Sequence, residues 1–241
     1  MKRLLLLIYQ PYKWLVYGPL LCLATFVFGS ISIPLSLINS KLSYLLCAKP
    51  WSYVLTYAIP LFVTVKGGEN CNPKESYVVV SNHQSHLDIP ALMARTSLGL
   101  RWVMKSELRK IPVFGMACDK IGMVYIDRSQ PEKAVASLRE AKKRVTNGIS
   151  VMFFAEGTRS RTGELGIFKK GAFRMAIELG VPILPISIKG TRNSLPAKTL
   201  GLKPGKATIT IHPPIPMNNY SVEDLETLMT ETKEVIQSGM G

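Results

Sequence analysis

No carboxylate occurs in the first 66 residues of this 241-residue chain, where Lys2, Arg3, Lys13, Lys41, Lys49 and Lys66 carry all the charge and Glu69 is the first acid. Between Trp14 and Ser40 there is no charged side chain of either sign. That absence excludes a surface helix of an ordinary soluble domain, which would keep one polar face. A helix of that length reaches roughly 40 Å at about 1.5 Å per residue, enough to cross hydrocarbon. Gly18-Pro19 and Gly29 through Pro34 interrupt the run, and a second apolar stretch, Pro50 to Val65, follows it. The expectation is two helices with a bend, a membrane-embedded hairpin over residues 1–65, ahead of an α/β domain over 66–241. Lysines lie before, between and after the apolar stretches, so charge gives no orientation. That symmetry favours a shallow or re-entrant hairpin with both ends on one face, one or two spans being the alternatives. A cleaved signal, suggested by Lys2-Arg3 and Leu4 to Ile8, fits less well, because the apolar region continues far beyond signal length.

Paired cysteine spacing is also missing. The four cysteines, at 22, 47, 71 and 118, form no metal or redox motif, and they read as reduced packing residues in a chain facing the cytoplasm. Three histidines are too few, and too badly spaced, for a zinc site: His83 and His86 lack a third ligand, and His212 does not supply one. Internal repeats and low-complexity tracts are absent. The soluble strands do not interleave aromatics with Lys and Arg, which argues against a nucleic-acid-binding module, the main non-enzymatic alternative beside a basic membrane-binding module. What is abundant is positive charge: 30 Lys and Arg against 16 Asp and Glu give +14, which implies an anionic partner such as anionic membrane lipids, a phosphorylated substrate or nucleic acid, and charge alone does not choose among the three.

From about residue 70, short apolar runs alternate with amphipathic stretches, the pattern of an α/β fold with a mixed central sheet flanked by helices. Strands are expected at Tyr77–Ser81, Arg101–Met104, Met123–Ile126, Ile149–Phe154, Val181–Ile188 and Lys206–His212. The two prolines of Val181–Ile188 predict an edge or end of the sheet for that strand. Helices are expected after Asp88, which can cap one with Pro90 in its first turn, briefly at Lys105–Arg109, at Gly115–Ile121, from Pro131 to about Asn147, at Gly171–Leu179 and at Val222–Gln237.

Chemistry concentrates in the loops after two apolar strands. Asn82-His83-Gln84-Ser85-His86-Leu87-Asp88 follows the first and places a histidine five positions before a carboxylate. Histidine is poised between neutral and charged near neutral pH, and a carboxylate on its other nitrogen fixes the tautomer and stabilises the imidazolium. Taken alone, such a pair is more often a hydrogen-bonded loop histidine and a helix cap. No serine or cysteine stands out as an activated nucleophile, so the base would act directly on a substrate hydroxyl. The second loop, Glu156-Gly157-Thr158-Arg159-Ser160 after Phe153-Phe154, supplies a guanidinium suited to phosphate, while the two phenylalanines read as core.

Four segments resemble, in order and spacing, the motifs of the glycerolipid acyltransferase family, in particular the 1-acylglycerol-3-phosphate acyltransferases. Asn82 to Asp88 matches NHxSxxD, and Gly122-Met123-Val124-Tyr125-Ile126-Asp127-Arg128 is similar to G-x-I-F-I-D-R. Phe154-Ala155-Glu156-Gly157-Thr158-Arg159-Ser160 resembles F-P-E-G-T-R-S with alanine in place of proline. Val181-Pro182-Ile183-Leu184-Pro185-Ile186-Ser187, preceded by Phe168 to Phe173, is like the fourth. The resemblance covers about residues 75–190. It implies that His83, oriented by Asp88, deprotonates the free hydroxyl of lysophosphatidic acid for attack on the thioester of acyl-CoA or acyl carrier protein, with no acyl-enzyme, metal or cofactor. Glycerol 3-phosphate and other lysolipids are the alternative acceptors. Arg159 would hold the phosphate, with Gly157 and Thr158 in its loop, Glu156 orienting Arg159 or the loop, and Lys105 and Arg128 as further cations. The setting would be the cytoplasmic face of a membrane.

Overall fold

The computed structural model describes residues 9–127, 137, 141–142, 145 and 147–241. Arg128, the expected signal-like start at Lys2–Ile8 and nearly all of the helix expected from Pro131 lie outside the described residues.

The apolar N-terminal segment forms a long helix, α1 (Tyr9–Ile38), with a π-turn at Lys13–Tyr17. It runs unbroken through both stretches expected to interrupt it. Pro19 occupies the first turn of the Gly18–Ile38 segment, and Pro34 is held inside it. Gly29 serves close approach rather than bending: a Cβ there would lie 2.7 Å from Val113 Cγ1. The bend comes at Asn39, an extended residue (φ −156°, ψ 109°) whose Oδ1 accepts from the amides of Lys41 (2.9 Å) and Leu42 (3.1 Å). Asparagine is suited to this helix-capping role. The returning helical segment passes through a π-turn at Tyr44–Ala48 into α2 (Lys49–Ala58). Hydroxyls stitch the hairpin: Ser32 Oγ and Ser43 Oγ are 2.8 Å apart, and Trp51 Nε1 donates to Thr25 Oγ1 at 3.0 Å.

The second apolar stretch does not stay with the hairpin. Leu61–Lys66 is strand β1, paired in parallel with β7 (Gly205–Ile211), so the expected boundary at residue 65 falls inside the sheet. Leu61 and Val63 face the core while Phe62 and Thr64 face out, the period-2 alternation of a half-buried strand. The other strands are β2 (Val78–Ser81), β3 (Gly99–Lys105), β4 (Val124–Ile126), β5 (Ile149–Phe154) and β6 (Ile183–Lys189). The sheet order is β1-β7-β6-β2-β5-β3-β4, parallel from β6 to β4, with β6 and β7 antiparallel. The fold is α/β with a mixed central sheet flanked by helices, as the sequence predicts.

Strand β6 is interior, which corrects the expectation of an edge. Its Pro185 carbonyl accepts from His212 N–H on the β7 side, and the β6–β7 ladder begins only at the next residue, Ile186. The missing N–H of Pro185 therefore falls between that ladder and the isolated bridge from Ile183 to Ile215, where no rung is lost.

The connections fix where a site can form. From β2 the chain crosses β5 to reach β3 through α3 (Asp88–Arg95); from β5 it crosses β2 in the other direction to reach β6 through α5 (Gly171–Leu179). Right-handed crossovers running opposite ways put these helices on opposite faces. Accordingly Ala91, Leu92 and Met93 of α3 pack with Val79 and Leu184, whereas Ala172, Phe173 and Ala176 of α5 pack with Val78, Val80 and Ile183. Helix α4 (Phe114–Ile121) lies against α1, and α6 (Leu225–Ser238) against β6 and α5. The carboxyl ends of β2 and β5, where the two connections depart in opposite directions, form the switch point of the sheet, the usual place for a ligand in an α/β fold.

Asn82 lies at that switch point. Its side chain is fully buried and continues the ladder past Ser81, Nδ2 donating to Ile188 O (2.8 Å) and Oδ1 accepting from Ile188 N (2.8 Å). Asn82→Ala is expected to orphan both backbone groups of Ile188 and to cost at least about 2 kcal/mol, at about 1–3 kcal/mol per unsatisfied group. Denaturant unfolding measures this; a loss below about 0.5 kcal/mol would show that the strand ends are held by other means.

Candidate active site

The loop from β2 to α3 closes on one oxygen atom. Asp88 is fully buried, and its Oδ2 accepts from His83 Nδ1 (2.7 Å), Gln84 N (2.7 Å) and Ser85 N (2.9 Å). The expected cap role is corrected here: Asp88 is the first residue of α3, its carboxylate turns back to the preceding loop, and Leu87 occupies the cap position. Oδ2 gathers donors that an extended chain would hold apart. With Nδ1 of His83 donating to a carboxylate, the neutral ring carries its lone pair on Nε2.

The ring of His83 is fixed in plane as well as in tautomer. It stacks on Phe154 with centroids 3.6 Å apart and planes 5° from parallel, and Trp102 leans on Phe154 at 5.4 Å. Phe153 is core, as expected, but Phe154 belongs to the site. Alternation explains the difference: adjacent strand residues face opposite sides, so only one of the two can meet the β2 loop. The His83 side chain is 13% exposed, enough to present one edge.

Glu156 joins the two loops. Though 92% of its surface is buried (8% exposed), it accepts from His83 N through Oε1 (3.1 Å) and from Gly166 N through Oε2 (2.9 Å). Of its two expected roles, the structure thus supports orientation of the loop. Gly166 was not anticipated; a Cβ there would sit 3.0 Å from Glu156 Oε2. Two more bonds zip the loops together, Ser160 N–H to His83 O (2.8 Å) and Gln84 Nε2 to Gly163 O (3.1 Å). Ser85 anchors the far side, its Oγ donating to Leu195 O at 2.7 Å.

This zipper carries Arg159, next to Ser160, to the mouth of the histidine loop. Gly157 takes the left-handed turn (φ 71°) that starts the Arg159 loop, and Thr158 is exposed beside it. The charge of Arg159 is felt by His86, whose imidazole is held below its ordinary value first by burial and then by Arg159 and His83, with Asp88 opposing. Lys105 ends β3 on the same edge of the sheet, but its ammonium pairs with Glu107 at 2.5 Å on the exposed surface. Such a pair contributes little to stability. Among the described residues no group of three or more His, Cys, Asp or Glu is arranged to hold a metal ion.

The arrangement offers a base with an oriented lone pair and, on the loop bonded to it, an arginine that can grip phosphate. Replacing Glu156 by Gln keeps one acceptor but turns an NH₂ toward one of the two amides, leaving it unbonded. The amide of His83 or of Gly166 is expected to exchange about 10-fold faster or more, equivalent to about 1.4 kcal/mol. Hydrogen-exchange mass spectrometry tests this, and unchanged exchange at both would remove Glu156 as the link.

A family model described as Acyltransferase matches residues 62–189. The chloroplastic 1-acyl-sn-glycerol-3-phosphate acyltransferase BAT2 of Brassica napus is 41% identical over 173 residues, covering 70% of this chain and 49% of the relative. The human 1-acyl-sn-glycerol-3-phosphate acyltransferase alpha is 31% identical over 196 residues, 78% of this chain and 69% of the relative. The chain thus spans about half the length of the chloroplast relatives it matches. Among solved structures, the 1-acyl-sn-glycerophosphate (LPA) acyltransferase PlsC of Thermotoga maritima superposes with a TM-score of 0.75 at 31% identity, covering 91% of this chain and 93% of that one.

Proposed function

Because the chain belongs to the Acyltransferase family, we propose that it transfers a fatty acyl group to the 2-hydroxyl of 1-acylglycerol 3-phosphate, giving phosphatidic acid. The observation that carries the reading is the His83–Asp88 pair (2.7 Å), zipped by Glu156 and Ser160 to the loop that bears Arg159. The relatives' names supply the substrate: two chloroplast enzymes and the human enzyme are all 1-acyl-sn-glycerol-3-phosphate acyltransferases.

In this mechanism Arg159 takes the acceptor's phosphate bidentately and sets its glycerol backbone against His83, positioning that is worth several kcal/mol. His83 Nε2 removes the proton of the 2-hydroxyl as its oxygen attacks the carbonyl carbon of the acyl thioester. Asp88 stabilises the imidazolium that forms. The tetrahedral intermediate collapses with cleavage of the carbon–sulfur bond, and the leaving thiolate recovers the proton from His83. Acyl-CoA and acyl carrier protein both present such a thioester, and no further cofactor is required.

The acceptor is a lipid, and α1 suits a membrane. It is long and apolar enough to cross one by length and composition, only 17% of its most apolar window is buried, and Leu23, Phe26, Ile31, Leu37 and Ile38 are exposed. We place the enzyme on a membrane containing anionic lipids, with its site open to the cytoplasmic face, where acyl thioesters are found.

Purified protein in mixed micelles, supplied with labelled acyl-CoA or acylated carrier protein and a panel of acceptors, is expected to acylate lysophosphatidic acid in preference to glycerol 3-phosphate and to neutral lysolipids. Failure to form phosphatidic acid would overturn the substrate. His83→Ala is expected to lower kcat by about 10³-fold, within the usual range for loss of a general base. Asp88→Asn should lower it by at least about 10²-fold through the wrong tautomer. Arg159→Ala should raise KM for the phosphorylated acceptor about 10-fold or more, in line with about 1.5–3 kcal/mol for a charged hydrogen bond. An unchanged KM would place the phosphate elsewhere.

A further inference from the structure

The mechanism leaves one histidine of the loop without a task. His86 lies between the base and its orienting acid, partly covered but open to solvent, on a loop whose other polar side chains, Gln84, Ser85 and Asp88, are all turned inward and buried. Hydrogen bonds from Ser160 N to His83 O (2.8 Å) and from Gln84 Nε2 to Gly163 O (3.1 Å) hold the Arg159 loop to this loop three and two residues before His86. Among the described residues, the charged or titratable groups that act on His86 are Arg159 from that facing loop and His83 and Asp88 from its own.

We propose that His86 is a second phosphate-binding residue of this site, and that it takes up a proton as the acceptor's phosphate settles against Arg159. The proposal rests on the phosphorylated acceptor argued above. A phosphate is acceptor-only toward protein donors, so a neutral imidazole offers it at most one N–H, whereas an imidazolium offers charge as well. In the free protein Arg159 repels that extra charge. A bound phosphate dianion reverses the local sign and makes the protonated ring the favoured form.

The direction of the linkage follows. In the free protein His86 titrates below its usual value, through burial first and Arg159 second. Bound phosphate raises that value, so the complex binds more protons than the free partners. Affinity is therefore greatest at the acidic end and is lost as pH rises through the value of the complex. Phosphate itself titrates near pH 6 and works the other way, so only a comparison of variants isolates His86.

The first measurement is KM for lysophosphatidic acid across about pH 6 to about pH 8, for the intact protein and for His86→Gln. The wild type is expected to lose about threefold or more in affinity relative to the variant over that range. Parallel profiles would overturn the proposal while leaving acyl transfer intact. The second measurement does not depend on turnover: the chain has three histidines, so the imidazole resonances of His86 can be assigned by substitution and titrated with and without glycerol 3-phosphate as the probe. An upward shift of about half a unit or more supports the proposal, and Arg159→Ala should reduce it. No shift would overturn it, even if the acceptor of the acyl group proved to be another lipid.

Discussion

Three donors converge on Asp88 Oδ2, and the catalytic loop has its shape because they do. A buried carboxylate oxygen is costly unless its charge is answered by hydrogen bonds. Two of the donors are the successive amides of Gln84 and Ser85, which forces the chain to wrap around the oxygen. The third is the imidazole that this wrapping brings round. His83 is thus oriented by the same atom that folds its loop. Asp88 Oδ1 is buried without a protein partner among the described residues, so all of the protein's grip on the carboxylate is exerted at the oxygen facing His83.

Glu156 repeats the device one strand away. It too is a buried acid that spends its oxygens on backbone amides, but it chooses one from each loop. The crossing directions of the chain require some such link. Helices α3 and α5 leave on opposite faces of the sheet, so the loops after β2 and β5 diverge, and nothing in the sheet itself keeps them together. With the link, His83 and the loop that bears Arg159 are held to each other, which matters for the proposed reaction because a misplacement of about 1 Å is expensive.

Much of this was legible in the sequence. The interior strands announce themselves as short apolar runs, and the motif loops follow directly after them, so the sequence alone places His83, Asp88, Glu156 and Arg159 in two strand-end loops, which the structure joins. What escaped depended on partners distant in sequence. Leu61 to Val65 continues an apolar stretch, and nothing local distinguishes a membrane segment from a strand whose partner, β7, lies near the other end of the chain. Pro185 looks like an edge residue until its neighbours are known to stop pairing there. Phe154 could be separated from Phe153 only by knowing which face of β5 meets the His83 ring. Gly166 matters because a carboxylate passes where its side chain would be. Gly29 misled in the opposite sense, since a glycine inside a helix is kept where a neighbouring segment, here Val113 and Ala117, approaches closely.

The hairpin and the sheet are not independent units. Lys49 Nζ donates to Thr96 O (3.0 Å), at the end of the helix that begins with Asp88, and the buried Arg101 reaches from β3 to Ser40 O (3.4 Å) just after the Asn39 bend. Arg101 also lies over the ring of Tyr44, 5.0 Å from its centroid. A buried guanidinium is retained only where hydrogen bonds and a π-face replace water; beside Leu100 O of its own strand (3.2 Å), Arg101 takes Ser40 O and the Tyr44 ring from the hairpin. The apolar helices are thereby fixed in orientation to α3 and β3. With the lipid acceptor and membrane setting proposed above, that rigidity would set the height of His83 relative to the lipid surface. The anchor would then be part of substrate positioning as well as of localisation.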